Sequence, residues 1–567
     1  MTMLAEHHFK VERRSPKVVM RLKRMGSFHQ CRLSFMRTLL RRLKRDAWRF
    51  SCPTFSIDEN GTGIAVYSAT GPERTYSLVC FAHDLPNELR SDRVIAEAWD
   101  ATFTLFDGTP NSDDIDRLSR NVPKQEAGRI SQSELTLARA NRSVRLFDHV
   151  VERLASGNQP DPEMVTDVGY LMRTTAVYGS GKFGAADRET LADRAEFSGA
   201  FQPEMLSVYL IRAFVLDLVE HLAKLRAPET AVTITPALRR RFGVGNSTGL
   251  GMAPFIVNHP VLLNNWINAR EEALARVCSL SKATLQEQST FRELVKRASK
   301  NVDEWRSAHP VQIQKLHDLK ADMEMLDQHL SKGVLSREQP WSALCNWAEE
   351  TLSVEGQEYL ISLMLEPYGA IVDDLVETMG ADETSAFAIQ GGMSIERLKS
   401  ILETTYDWAL KTDWRNAACR ARVWYVSEEK LEPRLGERFE EPVEPYEQPL
   451  APGRDAANLY QDLREWNGNE TVAEFLAQHV EHRHIVRRAQ IADRFPYAEI
   501  RDNTIASDLM PIDLLRCKLS FFGATHFDPR SDRWVRINMF RDAPFPNELA
   551  DVDEDNWSYP QLEEEIA

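Results

Sequence analysis

Gly63-Ile64-Ala65-Val66-Tyr67-Ser68-Ala69-Thr70-Gly71-Pro72-Glu73-Arg74-Thr75-Tyr76-Ser77-Leu78-Val79-Cys80-Phe81 is the stretch on which the fold class turns. Two runs rich in β-branched and aromatic residues, Gly63–Ala69 and Tyr76–Phe81, flank the turn signal Gly71-Pro72. That pattern predicts antiparallel strands joined by a tight connection. Upstream, Phe50–Ile57 has the same character and is set off by Asp58-Glu59-Asn60-Gly61; downstream, Ala98–Phe106 adds a fourth run. Together they predict an antiparallel β meander.

Outside this region the apolar spacing becomes helical. Ser131 to Leu154 reads as a periodic helix, and Pro203 to Leu225 is apolar on most faces, as a buried central helix would be. Further helical stretches run from about Pro260 to Asn301, Val311 to Leu330, Trp341 to Leu365, Ile395 to Ala409 and Val472 to Ile491. Near the C-terminus, Leu519–Phe527 and Trp534–Phe540 flank Asp528-Pro529-Arg530-Ser531-Asp532, a hairpin signature. The expected class is α+β, mainly α, with an N-terminal antiparallel meander, a large helical middle domain and a C-terminal β-hairpin. The expected divisions are a basic N-terminal segment at 1–48, the β region at 49–125 and a helical domain at 126–426. An acidic, proline-rich linker follows at 427–455, and a helical and hairpin region with an acidic tail at 456–567. The linker carries five prolines and eight glutamates, a composition that buries too little apolar surface to order itself.

Composition bounds the function. The chain has 567 residues, 43% apolar and 27% charged, enough for several cores without disulfides or metals. Its seven cysteines are scattered, with no C-x-x-C pair, and read as reduced thiols used as small core residues. No stretch is apolar enough for a membrane span and no secretory signal is visible, so the expected location is cytoplasmic. Residues 1–50 hold fourteen Lys and Arg against three acids, about +11, while the net charge is −16, leaving the remainder at about −27. So acidic a body argues against broad nucleic-acid binding. Within the basic segment, Met36, Leu39, Leu40 and Leu43 form an apolar stripe among arginines. Such a helix docks on its own protein, on an anionic membrane or on RNA, and the first is favoured.

Two glycine-rich segments carry the clearest chemical signal. Gly179, Gly181 and Gly184 with Lys182 combine a permissive backbone with a point positive charge, a combination suited to an anion. The Walker A spacing is not met, and G-x-G-x-x-G identifies a dinucleotide site only after a strand. The second segment follows Arg239-Arg240-Arg241 and contains Gly245, Asn246, Ser247, Thr248 and Gly249. Here Arg240 and Arg241 offer forks that match phosphate or carboxylate oxygens. His259, just before a predicted helix at Pro260, is the candidate proton-transfer group. His479 and His482 share a helical face, but neighbouring arginines oppose a cation and no metal is expected.

These features support an enzyme that binds a phosphorylated or carboxylated small molecule, with a nucleotide-type cofactor among the candidates. Oxidoreductase and transferase chemistry are both open. The alternative is a non-enzymatic interaction protein that docks through its basic helix, acidic linker and acidic tail, the opposite charges meeting in a homo-oligomer.

Overall fold

The computed structural model describes residues 12–21, 23–86, 98–125, 127–174, 191, 194–246, 259–306, 310–380, 388–415, 424–426, 433–435, 452–501, 518–524, 526–528, 536–552 and 557–559. The chain forms two compact units, each assembled from separate segments: residues 1–33, 250–299 and 317–517 in the first, residues 34–249, 300–316 and 518–567 in the second. The class is mixed α+β, mainly α.

The second unit is built on a nine-stranded sheet. Its strands are β1 (Arg49–Ile57), β2 (Gly63–Thr70), β3 (Thr75–Ala82), β4 (Ala101–Asp107), β5 (Glu134–Arg142), β6 (Tyr170–Thr174) and β7 (Gly243–Asn246). A short pair, β8 (Trp424–Val426) and β9 (Pro433–Leu435), belongs to the other unit, and the large sheet is completed by β10 (His526–Asp528) and β11 (Arg536–Met539). The order is β1-β2-β3-β4-β5-β6-β7-β11-β10. β1 to β4 are the expected meander, in register from Ile57↔Gly63 through Thr70↔Thr75 to Ala82↔Ala101. Every neighbouring pair is antiparallel except β6 and β7, which run parallel.

Three differences from the sequence reading bear on the sheet and its surroundings. The helix expected over Ser131–Leu154 is strand β5 followed by a helix at Phe147–Ala155. In β5, Leu135, Thr136, Leu137 and Ala138 are all buried, so both faces of the strand are covered. Gly243–Asn246, read as part of a loop, is a fully buried strand. Among the described residues of Leu519–Phe527, His526 and Phe527 are strand, and Lys518–Phe522 forms a π-helical turn.

The helix Gln202–Arg226 is the core of this unit. Phe214 meets Tyr67 and Phe103 edge-on, and Tyr209 meets Phe50 and Phe540. Those four partners come from β1, β2, β4 and the end of β11, so one helix is packed against strands from both ends of the sequence. Arg212, fully buried on it, donates to the carbonyl oxygens of Phe242 at 2.6 Å, Ala543 at 2.7 Å and Arg240 at 2.9 Å. Its guanidinium also lies 3.9 Å from the Phe545 ring centre.

The basic helix, Phe35–Arg45, buries Met36, Leu39, Leu40 and Leu43. Phe35 contacts Phe201 and Phe522, and Arg42 donates to the Ser198 carbonyl and hydroxyl oxygens, both at 2.6 Å.

The first unit is helical. One core joins the helices Ile395–Thr405, Pro452–Leu463, Val472–Gln478 and Arg483–Arg494 through Leu398, Leu402, Leu459, Phe475 and Val486. Another part holds Pro260–Cys278, Pro340–Thr351 and Val354–Met364, with Trp266 and Trp341 fully buried. The segment before residue 27 includes a short helix at Pro16–Val19 capped by the Ser15 side chain. Among the described residues no helix is long and apolar enough to cross a membrane.

Candidate functional site

The two glycine-rich segments are reached from neighbouring strands. β6 leads into residues 175–190 and β7 into residues 247–258, and the two strands point the same way, with Arg173 opposite Gly245 and Thr174 opposite Asn246. Thr174 and Asn246 are fully buried, and the Asn246 side-chain amide donates to the Thr174 hydroxyl at 3.4 Å. The described residues that precede the two segments therefore lie at adjacent positions. Gly179, Gly181, Lys182, Gly184, Ser247, Thr248 and Gly249 themselves lie outside the described residues.

The strand that the dinucleotide fingerprint requires is present: Tyr170–Thr174, ambiguous in the sequence, is buried β structure. From β6 the chain returns through Gln202–Arg226 to β7, a strand–helix–strand crossover of parallel type. In the dinucleotide fold the glycines open the crossover helix. Here that helix starts at Gln202, eighteen residues beyond Gly184.

Gly245 has a packing role of its own. A Cβ built on it would lie 2.6 Å from the Tyr170 ring, and one on Gly243 would lie 2.6 Å from the Met539 carbonyl oxygen. Glycine here admits close approach of neighbouring strands.

The three arginines end the short helix Pro236–Arg241, and each faces acids. Arg239 contacts Asp217 at 2.7 Å and Glu220 at 3.0 Å. Arg240 reaches Glu548 at 3.2 Å. Arg241 lies between Asp542 at 3.4 Å and Glu304 at 3.6 Å, and the Asp542 carboxylate does most to hold its guanidinium above the ordinary value. His259 belongs to the other unit, where it takes the N-cap position of Pro260–Cys278 and its carbonyl accepts from the Leu263 amide at 3.0 Å.

A second arrangement, in the helical unit, left no sign in the sequence. Arg14 grips Glu271 with two bonds of 2.8 Å and Glu358 with two, of 2.9 and 3.2 Å. Arg270 bonds Glu271 at 2.9 Å, and Arg24 reaches Glu358 at 3.2 Å. Both glutamates have no exposed side-chain surface. Burial pushes the Glu271 carboxyl up, but Arg14 and Arg270 outweigh it and hold the group below the usual carboxylate range.

Arg14 and Glu271 also line a cavity of about 170 Å3, together with Cys278, Cys345, Glu349 and Gln357. The two sulfurs are 3.6 Å apart, and the Cys345 thiol donates to the Met364 sulfur at 3.7 Å. Scattered in sequence, the two cysteines gave no hint of this meeting.

His482 completes the picture in the other helical core. Its ring contacts the Asp462 carboxylate at 2.7 Å, and His479 joins them in one cluster of potential ligand atoms. Phe475 stacks on both rings. The sequence supplied the two histidines but not Asp462, which lies on a different helix.

No family model, no curated protein and no solved structure matches the chain.

Proposed function

We propose that this chain is a cytoplasmic enzyme that binds a phosphorylated or carboxylated small molecule where strands β6 and β7 end. The pairing of Thr174 with Asn246 is the observation that carries the proposal, because it brings together the roots of two glycine-rich segments 72 residues apart in sequence. Ligands of open sheets sit outside the carboxyl ends of parallel strands. Glycine backbones at such a place can turn several N–H groups toward one anion, and Lys182 adds a positive charge. A nucleotide-type cofactor is one member of this ligand class, and oxidoreductase and transferase chemistry both use such ligands.

Arg240 and Arg241 must leave their carboxylate partners to touch a ligand, so the reading rests first on Lys182 and the glycine backbones. The competing interaction-protein reading draws less support, since the apolar stripe of the basic helix is buried.

Native mass spectrometry and an absorbance spectrum of the freshly purified chain test the proposal. The expected result is a co-purified anion, lost in Lys182→Ala without a change in the thermal melt. The same spectrum reads the subunit number, with a homo-oligomer expected. A chain that carries no anion, and takes up none when offered ATP, NAD or pyrophosphate, overturns it.

A further inference from the structure

We propose that Cys278, Cys345 and Met364 form a binding site for a soft monovalent metal ion, copper(I). The three residues come from three helices: Cys278 closes Pro260–Cys278, Cys345 sits inside Pro340–Thr351 and Met364 closes Val354–Met364. Their sulfurs form a chain, 3.6 Å from Cys278 to Cys345 and 3.7 Å from Cys345 to Met364. Two sulfurs bound to one metal at about 2.3 Å each, at angles between tetrahedral and trigonal, stand roughly 3.8–4.0 Å apart. The observed spacings reach that range with a shift of a few tenths of an ångström. A disulfide requires the two thiols to close to about 2.05 Å, a much larger movement.

The donor set selects the ion. Two thiolates and a thioether are soft ligands that favour copper(I). Zinc is served by four harder or anionic donors, and a thioether is a poor fourth partner for it. Access is provided by the cavity, whose wall includes both cysteines, each of them partly exposed.

The surrounding charge fits the product. Each thiol releases its proton to solvent on binding, and no electron is transferred. A copper(I) ion held by two thiolates carries one negative charge. Arg14 lines the same cavity, and the buried cluster of Arg14, Arg24 and Arg270 with Glu271 and Glu358 holds one positive charge in surplus. Glu12 and Glu349, also on the cavity wall, are solvent-exposed and contribute a weaker, screened field.

The test is an anaerobic titration of the full chain with copper(I) presented as its bicinchoninate complex, whose colour fades as metal is withdrawn. Wild type is expected to withdraw one copper per chain at a chelator excess that isolated thiols cannot match. Cys278→Ser and Cys345→Ser are expected to lose this uptake, and Met364→Leu to weaken it roughly tenfold. Copper(I) should raise the melting temperature of wild type and leave that of the Cys278→Ser/Cys345→Ser chain unchanged. Equal uptake by wild type and a double variant with the same thermal melt overturns the site. So does a wild-type chain isolated with these two sulfurs joined, seen as a mass two hydrogens lighter that the double variant lacks.

Discussion

Glu271 and Glu358 are carboxylates without exposed surface, surrounded by three guanidiniums. Removing one acid leaves buried positive charge without its partner, which typically costs about 3–5 kcal/mol. Glu358→Ala should therefore lower the denaturation midpoint sharply, and an unchanged midpoint would show that solvent reaches the cluster. The folded Glu271 carboxyl titrates below its unfolded value, so its contribution is complete above the ordinary carboxylate range. It is lost as pH falls through the depressed folded value. Acid unfolding curves of wild type and Glu271→Gln should accordingly converge at low pH and diverge above the ordinary range. None of this was legible in the sequence, because Arg14 stands 257 residues from Glu271 and 344 from Glu358. Gly245 shows the opposite error: its type was noticed, but a neighbouring Tyr170 ring accounts for it as well as a ligand does. Gly245→Ala should cost about 1–3 kcal/mol by overpacking. Combining it with Tyr170→Leu should recover part of that loss, and strict additivity in chemical denaturation would deny the contact.

The meander was legible from β-branched and aromatic runs set off by turn residues, and the helix Gln202–Arg226 from its long apolar run. β5 and β7 were not. In β5 the buried residues lie on both faces, which blurs the alternation, and β7 is two glycines in four residues, a composition shared with loops. The basic helix Phe35–Arg45, in the second unit, left three destinations open in the sequence, and its stripe is buried. Leu39→Ala should then destabilise that unit by about 2–5 kcal/mol. A variant as stable as wild type in a thermal melt would mean the stripe serves some other surface. Arg212 ties the entrance of β7 to the segment after β11 through three carbonyl oxygens. Arg212→Met should leave those buried acceptors unsatisfied, at about 1–3 kcal/mol for each that finds no other donor.

At the scale of the molecule, the chain builds two units from interleaved segments. Linear divisions follow composition, whereas the sheet recruits strands from residues 49 to 539 by packing alone. The candidate ligand site was half legible: both glycine-rich stretches stood out, but their meeting depends on the β6–β7 pairing, which no local signal encodes. A chain ending at residue 517 would lose β10 and β11, along with Asp542 and Glu548, the partners of Arg241 and Arg240. Such a truncation should be insoluble or rapidly cleaved in limited proteolysis near β7, while the full chain resists.

β11 also sets an order of events during synthesis. β7 ends at residue 246, yet the strand that covers its open side begins at Arg536, and Asn538 reaches back 370 residues to the Val168 carbonyl. At about 5–20 residues per second a ribosome needs roughly 15–60 s to bridge the two strands. Throughout that interval the nascent chain presents a bare strand edge, with its backbone groups unpaired, to any neighbouring polypeptide. Yield of native protein should thus depend on chaperone supply and translation speed more than on the stability of the finished fold.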